Sequence, residues 1–167
     1  MGYAYTCPDM IGGGEYQSFL KTSTIDEELV VRSAQVHALM PMMQFSAAPW
    51  RVLSPENNAI CREMALLHLK YKDLFLSLAK EAAKTGEPIV KPMEFAFPGN
   101  GYEMIKDQFV VGNDIIVAPV VEQGVRSRSV ALPVGSWKAE DGTVYEGGQT
   151  IEIEVPLERL PYFTKIH

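Results

Sequence analysis

The first part of the chain alternates short apolar runs with helix-like patterns. A β-prone run at Tyr3–Cys7 ends at Asp9 and a glycine-rich loop, and a second run follows at Met40–Phe45. Between the two runs, Thr24 and Glu27 have the spacing of a capping box, which begins a helix. A strand that ends at a polar residue and a glycine loop before a helix is typical of a βα unit. The pattern therefore predicts two strands with a helix between them.

The next segment has the longest helical pattern in the chain. Ser54 can serve as N-cap, Pro55 suits the first helical position, and Gly86 is a natural stop. Apolar residues recur along one stripe at spacings of three and four, namely Ile60, Met64, Leu67, Tyr71, Leu74 and Leu78. We expect one continuous helix from Ser54 to Gly86.

After Gly86 the pattern changes to short β-prone runs separated by turn signals. Ile151 and Ile153 alternate with Glu152 and Glu154, which predicts a strand with one buried and one solvated face. The runs are Pro88–Val90, Gln108–Val111, Asp114–Val121, Arg128–Leu132, Thr143–Tyr145 and Gln149–Val155, with a terminal strand at Tyr162–Phe163. Strands of this length and spacing indicate an antiparallel sandwich or barrel. We therefore expect two domains, residues 1–86 and 87–167.

Two βα units cannot close a sheet on their own. A complete (β/α)8 barrel takes about 250 residues, and residues 1–86 supply about a third of that. The pattern leaves two alternatives open: an unusual α+β domain, or the last units of a barrel whose earlier strands lie outside this sequence.

Composition and charge exclude several functions. The 167 residues are 47% hydrophobic and carry a formal net charge of −6 without a long basic run, so we expect neither nucleic-acid nor anionic-membrane binding. No apolar stretch approaches the roughly 18 residues of a membrane helix. Cys7 and Cys61 belong to no CxxC pattern, and Gly12–Gly14 forms no GxGxxG loop, so no metal or cofactor is predicted.

Motifs in the first half resemble those of glycoside hydrolase family 31. Pro8–Gly14 resembles the Asp-Ile-Gly-Gly turn after a late barrel strand of that family. Glu28–Gln35 is similar to its "EL..RW.Q" helix, with Ser33 in place of the usual Trp. Met40–Ser46 and then Ala48–Trp50 resemble the last barrel strand and its "PW" loop.

Further motifs follow in the same order through the second half. Pro88–Pro92 resembles "P...RP", Asp107–Val120 resembles "D.QF..G..LLVAPV", and Leu132–Trp137 resembles "LP.G.W". The resemblance covers nearly the whole chain, so the fold it implies is the last βα units of a (β/α)8 barrel followed by an antiparallel β-sandwich.

The resemblance also implies an activity. Members of the family are retaining α-glycosidases, which need two carboxyl groups about 5–5.5 Å apart across the scissile bond. In the family both carboxylates lie on earlier barrel strands and loops, so no residue of this chain is predicted to be catalytic. We expect the isolated chain to be inactive, and the substrate of the whole enzyme to be an α-linked oligosaccharide or glycoside.

Four residues are predicted to bind substrate. The resemblance places Asp9 on the wall of the sugar pocket, although an aspartate there can also cap the glycine turn. Gln44 and Ser46 lie where many members have Arg-Asn-His, whose His binds a sugar hydroxyl; the change is more similar to branches that act on α-galactosides or other non-glucose glycones. Trp50 can stack on a sugar face or pack in the loop.

Other functions remain open. A non-catalytic carbohydrate-binding or interaction module would need an exposed aromatic platform, for which the candidates are Trp137, Tyr145, Tyr162 and Phe163. A separately encoded subunit could also complete its barrel with another polypeptide. The isolated histidines at positions 37 and 68 are interpreted as packing or surface residues in helices.

Overall fold

The computed structural model describes residues 3–12 and 25–167. Its helical part comprises α1 (Glu27–Ala38), α2 (Pro49–Val52), α3 (Pro55–Lys70) and α4 (Lys72–Thr85). A further short helix, α5 (Met93–Ala96), lies among the strands β1 (Val90–Pro92), β2 (Phe109–Val111), β3 (Ile115–Val117), β4 (Ser127–Leu132), β5 (Ser136–Ala139), β6 (Val144–Glu146), β7 (Gln149–Glu154) and β8 (Tyr162–Ile166).

The strands form two antiparallel sheets. One has six strands in the order β1-β2-β3-β8-β5-β6, and the other pairs β4 with β7. Alternate residues of β2 and β3 point to opposite faces of the larger sheet: Val110 and Ile116 join a cluster shared with the smaller sheet, while Val111 and Ile115 join a cluster shared with the helices. The larger sheet is therefore buried on both faces, between the helices and the smaller sheet.

Both clusters are built from fully buried side chains. Trp137 and Phe163 lie between the sheets, and Val31 and Ala34 of α1 lie between the helices and the larger sheet, each at 0% exposure. Burying one side chain of Val or Phe size contributes about 1.5–3 kcal/mol, so the sheet and the helices stabilise each other through their shared cluster.

The start of α3 and the end of α4 are as predicted, but α1 begins later. The Ser54 hydroxyl accepts a hydrogen bond from the Asn57 amide at 3.3 Å, and Gly86 ends α4 with a left-handed φ of +76°. The N-cap of α1 is Asp26, whose carboxylate accepts from the Leu29 amide at 3.0 Å. The predicted cap Thr24 lies outside the described residues, and the helix begins at Glu27.

The prediction of one continuous helix after Ser54 is wrong. The chain leaves helical geometry at Tyr71, whose amide is shared between the carbonyls of Leu67 and His68. Tyr71 packs edge to face on Tyr162 of β8, with ring centroids 6.0 Å apart. No glycine or proline lies at this bend, and the ring that Tyr71 contacts there belongs to a residue distant in the sequence.

The two predicted strands of the first part are reduced to one bridge. The runs Tyr3–Cys7 and Met40–Phe45 form no ladder with each other. The one bridge among the described residues of this part is parallel and joins Ile11, four residues after the first run, to Phe45. An isolated pair of strands has no further neighbours to extend it into a sheet. The predicted segments are thus neighbours in space without regular strand structure along their length.

The strands predicted after Gly86 are present, most with shifted or shorter bounds, and one further strand was missed. The run at Asp114–Val121 narrows to β3, Ile115–Val117. The missed strand is β5, Ser136–Ala139, which pairs with both β6 and β8. Its four residues follow a proline and a glycine, so its local pattern resembles a turn.

Candidate functional site

The bridge between Ile11 and Phe45 groups three of the predicted site residues. The Ile11 amide donates to the Gln44 carbonyl and the Ser46 amide donates to the Ile11 carbonyl, each at 2.9 Å. Asp9 lies two residues before Ile11, and all three predicted side chains are exposed. Residues far apart in sequence are thus adjacent at one edge of the helical part.

Asp9 is held by two contacts. Its carboxylate accepts a hydrogen bond from the Met10 amide at 2.8 Å, which caps the local turn. Its main-chain carbonyl lies 2.5 Å from Nε2 of His37 on α1. Both predicted roles are compatible with this geometry, because an exposed carboxylate that caps a turn still has accepting capacity for a ligand.

Gln44 and Ser46 offer polar groups beside Asp9. The Gln44 amide nitrogen lies 3.9 Å from Sγ of Cys7 in the neighbouring segment, and the Ser46 side chain is exposed. An amide and a hydroxyl can each donate and accept, which suits hydroxyl groups of a neutral ligand.

Trp50 lies in the short helix α2 and is 74% exposed. The alternative that this ring packs inside its loop is therefore wrong, since the adjacent Pro49 is the buried residue of α2. A rigid ring in contact with solvent has a free face for stacking.

The structure places one further residue, His37, in contact with Asp9. The sequence analysis interpreted this histidine as a packing or surface residue. His37 is 6% exposed, and its ring lies between the Asp9 carbonyl and the Ser33 carbonyl. The contact to Ser33, four residues earlier in the same helix, follows from helix geometry. The contact to Asp9 has no sequence signal, because it depends on how the loop folds over α1.

The opposite side of α1 is fixed to the strands by buried polar groups. Arg32 donates to the carbonyls of Val125 and Val155, both at 3.2 Å, and to the Gln35 side chain at 2.9 Å. Gln35, fully buried, donates in turn to the Leu157 carbonyl at 2.6 Å. Burial of a guanidinium is costly unless it is hydrogen-bonded, and burial accordingly lowers the pKa of Arg32.

An ion pair extends this contact toward solvent. The Glu28 carboxylate lies 2.5 Å from Arg126 and also accepts from the Gly124 amide. The hydrogen bond from Arg126 lowers the pKa of Glu28. Helix α1 is thus held to the strands at several points along its length.

The grouped residues supply one carboxylate and no metal site. Of the four predicted binding residues, only Asp9 is acidic, whereas retaining glycoside hydrolysis needs a pair. Within the described ranges, no set of three or more His, Cys, Asp or Glu side chains is arranged to hold a metal ion. In the same ranges, no helix has the length and apolar character to cross a membrane.

A separate groove of about 720 Å³ lies between α3, the turn that joins β5 to β6, and the segment that precedes β8. None of Asp9, Gln44, Ser46 or Trp50 lines this groove. Within this groove Arg159 pairs with Glu140 at 2.5 Å and with Asp141 at 3.6 Å.

The aromatic residues named for an alternative binding platform do not form an exposed surface. Trp137 and Phe163 are fully buried, and Trp137 donates from Nε1 to the Pro133 carbonyl at 2.7 Å. Tyr145 packs on Phe163 and Tyr162 packs on Tyr71, both edge to face. These four rings serve the core.

Comparison with known proteins finds relatives that are glycosidases. Residues 86–166 match the glycosyl hydrolase family 31 C-terminal domain. The chain is 36% identical to the myogenesis-regulating glycosidase of Mus musculus, over 98% of this chain and 24% of that protein. It is 30% identical to alpha-glucosidase 2 of Bacillus thermoamyloliquefaciens, over 98% of this chain and 21% of that protein.

A solved structure agrees with these relatives. A mutant of the GH31 dextranase of Flavobacterium johnsoniae, complexed with isomaltotriose, superposes with a TM-score of 0.76 and 32% identity, over 83% of this chain and 18% of the dextranase. The chain spans about a quarter or less of the length of these proteins. Since the family's C-terminal domain matches the strands and the glycosidase relatives align over both halves, the chain belongs to glycoside hydrolase family 31.

Proposed function

We propose that this chain is the C-terminal portion of a retaining α-glycosidase. Residues 1–86 would form the last βα units of its (β/α)8 barrel and residues 87–167 a β-sandwich domain behind them. The observation that carries the proposal is the parallel bridge between Ile11 and Phe45 with helix α1 between the two segments. Parallel neighbours joined by a helix are the repeating unit of such a barrel.

The proposed substrate is an α-linked oligosaccharide or glycoside. The relatives include a glycosidase and an α-glucosidase, and the dextranase binds isomaltotriose. In this proposal Asp9, Gln44 and Ser46 contact sugar hydroxyls, and Trp50 stacks on a sugar face. The exposure of all four side chains supports these roles. The short hydroxyl of Ser46 favours a glycone other than glucose.

The proposal includes that the isolated chain does not hydrolyse glycosides. Asp9 is the one carboxylate among the grouped residues, and a single carboxylate cannot act as both nucleophile and acid/base. The missing pair would lie on barrel strands outside this sequence.

The first experiment measures the isolated chain. The purified chain is mixed with p-nitrophenyl α-glucoside, α-galactoside and α-xyloside, and nitrophenolate release is followed. We expect none above buffer, and turnover would contradict the inactive-portion proposal. Calorimetric titration with the matching free sugars separates the alternative, because a binding module should give heat without any partner chain.

The second experiment restores a barrel. The chain replaces the matching C-terminal region of the Bacillus α-glucosidase, and hydrolysis is measured for Asp9→Asn and Trp50→Ala. Losing a hydrogen bond to a charged group is worth about 1.5–3 kcal/mol, so we expect KM for Asp9→Asn to rise roughly tenfold or more.

Matched controls accompany this experiment. Asp73→Asn on α4 and Phe95→Ala on α5 change exposed residues of the same kinds outside the proposed site. A folded, active chimaera in which Asp9→Asn and Trp50→Ala behave like these controls would refute the assignment of the site.

A further inference from the structure

His37 lies between two hydrogen-bond acceptors. Its Nδ1 is 2.6 Å from the Ser33 carbonyl oxygen and its Nε2 is 2.5 Å from the Asp9 carbonyl oxygen. Both distances are short even for hydrogen bonds, and the ring is 6% exposed. Water therefore has little access to replace either contact.

The number of protons on the ring decides whether both contacts are favourable. A neutral imidazole has one N–H and one lone pair, whereas a backbone carbonyl can only accept. With a neutral ring, one nitrogen lone pair would face an oxygen lone pair at hydrogen-bonding distance. We propose that His37 is a doubly protonated positioning residue, which donates to both carbonyls and so fixes the main chain at Asp9.

One feature of the surroundings stabilises a positive ring. His37 lies in the last turn of α1, where the exposed carbonyls of the helix end attract a cation. The titratable groups beside it in the loop and on α1 are Cys7, Asp9, Glu27, Glu28 and Arg32. On α3, His68 has its Nδ1 3.2 Å from the Ala38 carbonyl and Cys61 is buried, while Glu56, Arg62, Glu63 and Lys70 are exposed.

The contact gives Asp9 a rigid support. Helix α1 is held to the strands through Arg32 and Gln35, and His37 connects the same helix to the Asp9–Met10 peptide. A ring that loses one proton can keep only one of its two bonds. The role in ligand binding rests on the proposed function of Asp9, but the tether itself does not.

The test uses NMR on the isotope-labelled chain. The ring protons and nitrogens of His37 are followed with pH, together with the Asp9 carbonyl carbon and the Met10 amide nitrogen, which belong to the tethered peptide. We expect the ring to carry two protons while the tether is intact, and the ring and peptide signals to change with a common midpoint.

Three variants separate tethering from general stability. His37→Gln provides a donor that does not titrate, so the tethered peptide signals should lose this pH-dependent change and keep shifts close to those of the parent chain. His37→Leu should move these signals to new values and remove the change at the ring midpoint. The control His68→Gln removes a neighbouring, half-buried ring contact and should leave the common midpoint in place.

Two results would overturn the proposal. One is a His37 ring that carries a single proton at every pH where the chain is folded. The other is a ring titration that leaves the Asp9–Met10 signals unchanged. Neither measurement uses a sugar, so failure of the proposed glycosidase function would appear in the chimaera experiment and leave this result standing.

Discussion

Substitution of Gln108 tests whether its side chain stabilises the edge of β4 that has no neighbouring strand. Strand β4 has β7 on one edge, and Gln108 covers the backbone of Ala131 in β4. Its side chain accepts from the Ala131 amide at 2.9 Å and donates to the Ala131 carbonyl at 3.1 Å, as a neighbouring strand would. Gln108 is 5% exposed, so water cannot easily take its place.

The substitution Gln108→Glu keeps the shape and removes the donor. An ionised carboxylate can still accept from the Ala131 amide but would face the Ala131 carbonyl with like partial charge. The lost hydrogen bond costs about 0.5–1.5 kcal/mol and the unsatisfied buried group about 1–3 kcal/mol more. We expect a loss of about 2–4 kcal/mol at pH 7, which corresponds to a Tm lower by roughly 4–16 °C for a chain of this size.

Urea unfolding followed by circular dichroism measures this loss. The matched control is Gln149→Glu, because the Gln149 amide also donates to a carbonyl, that of Glu146 at 2.7 Å, but from an exposed position. The control should change stability by about 0.5 kcal/mol or less. Equal losses for the two variants would refute the argument from burial.

The pH dependence of the Gln108→Glu variant has a definite sign. Burial raises the pKa of the introduced carboxyl above its unfolded value. The folded variant then binds its proton more tightly than the unfolded one, and the protonated acid can donate to Ala131 again. The deficit relative to the parent chain should shrink as pH falls below neutrality and grow as pH rises. A deficit that is independent of pH would contradict this mechanism.

Two further predictions concern backbone space and thiol reactivity. Gly147→Ala should lower the free energy of unfolding in urea by about 3 kcal/mol, because a Cβ there would overlap the Pro133 carbonyl oxygen. The control Gly142→Ala has open space around it and a φ of +92°, so it should lower the free energy of unfolding by only about 1 kcal/mol. With Ellman's reagent at pH 8, the exposed thiol of Cys7 should react in the native chain. The thiol of Cys61 should react only after unfolding, because burial raises its pKa to about 11. Reaction of both thiols in the native chain would contradict the packing of α3.

Much of the fold could be predicted from local patterns. The Ser54 cap, the Gly86 stop and the alternation in β7 depend on residues close together in sequence, and the structure confirms them. The break at Tyr71 could not be predicted, because no glycine or proline marks it. Strand β5 could not be predicted either, because it pairs with β8, which is distant in the sequence.

The candidate site was also only partly predictable from the sequence. Residue types and motif order predict Asp9, Gln44, Ser46 and Trp50 as binding residues, and they identify the family to which the chain belongs. Which of these residues meet was decided by the pairing of Ile11 with Phe45, a contact across 34 positions of sequence.

The sequence by itself determined the Ser54 cap, the Gly86 stop, the alternation in β7 and the family, because these depend on neighbouring residues and on the order of motifs. Only the tertiary structure decided that His37 faces the Asp9 carbonyl, that Trp50 is exposed and that Gln108 completes the edge of β4. The physical reason is that hydrogen-bond partners and burial depend on which segments pack together, and a residue's own neighbours in sequence do not specify that.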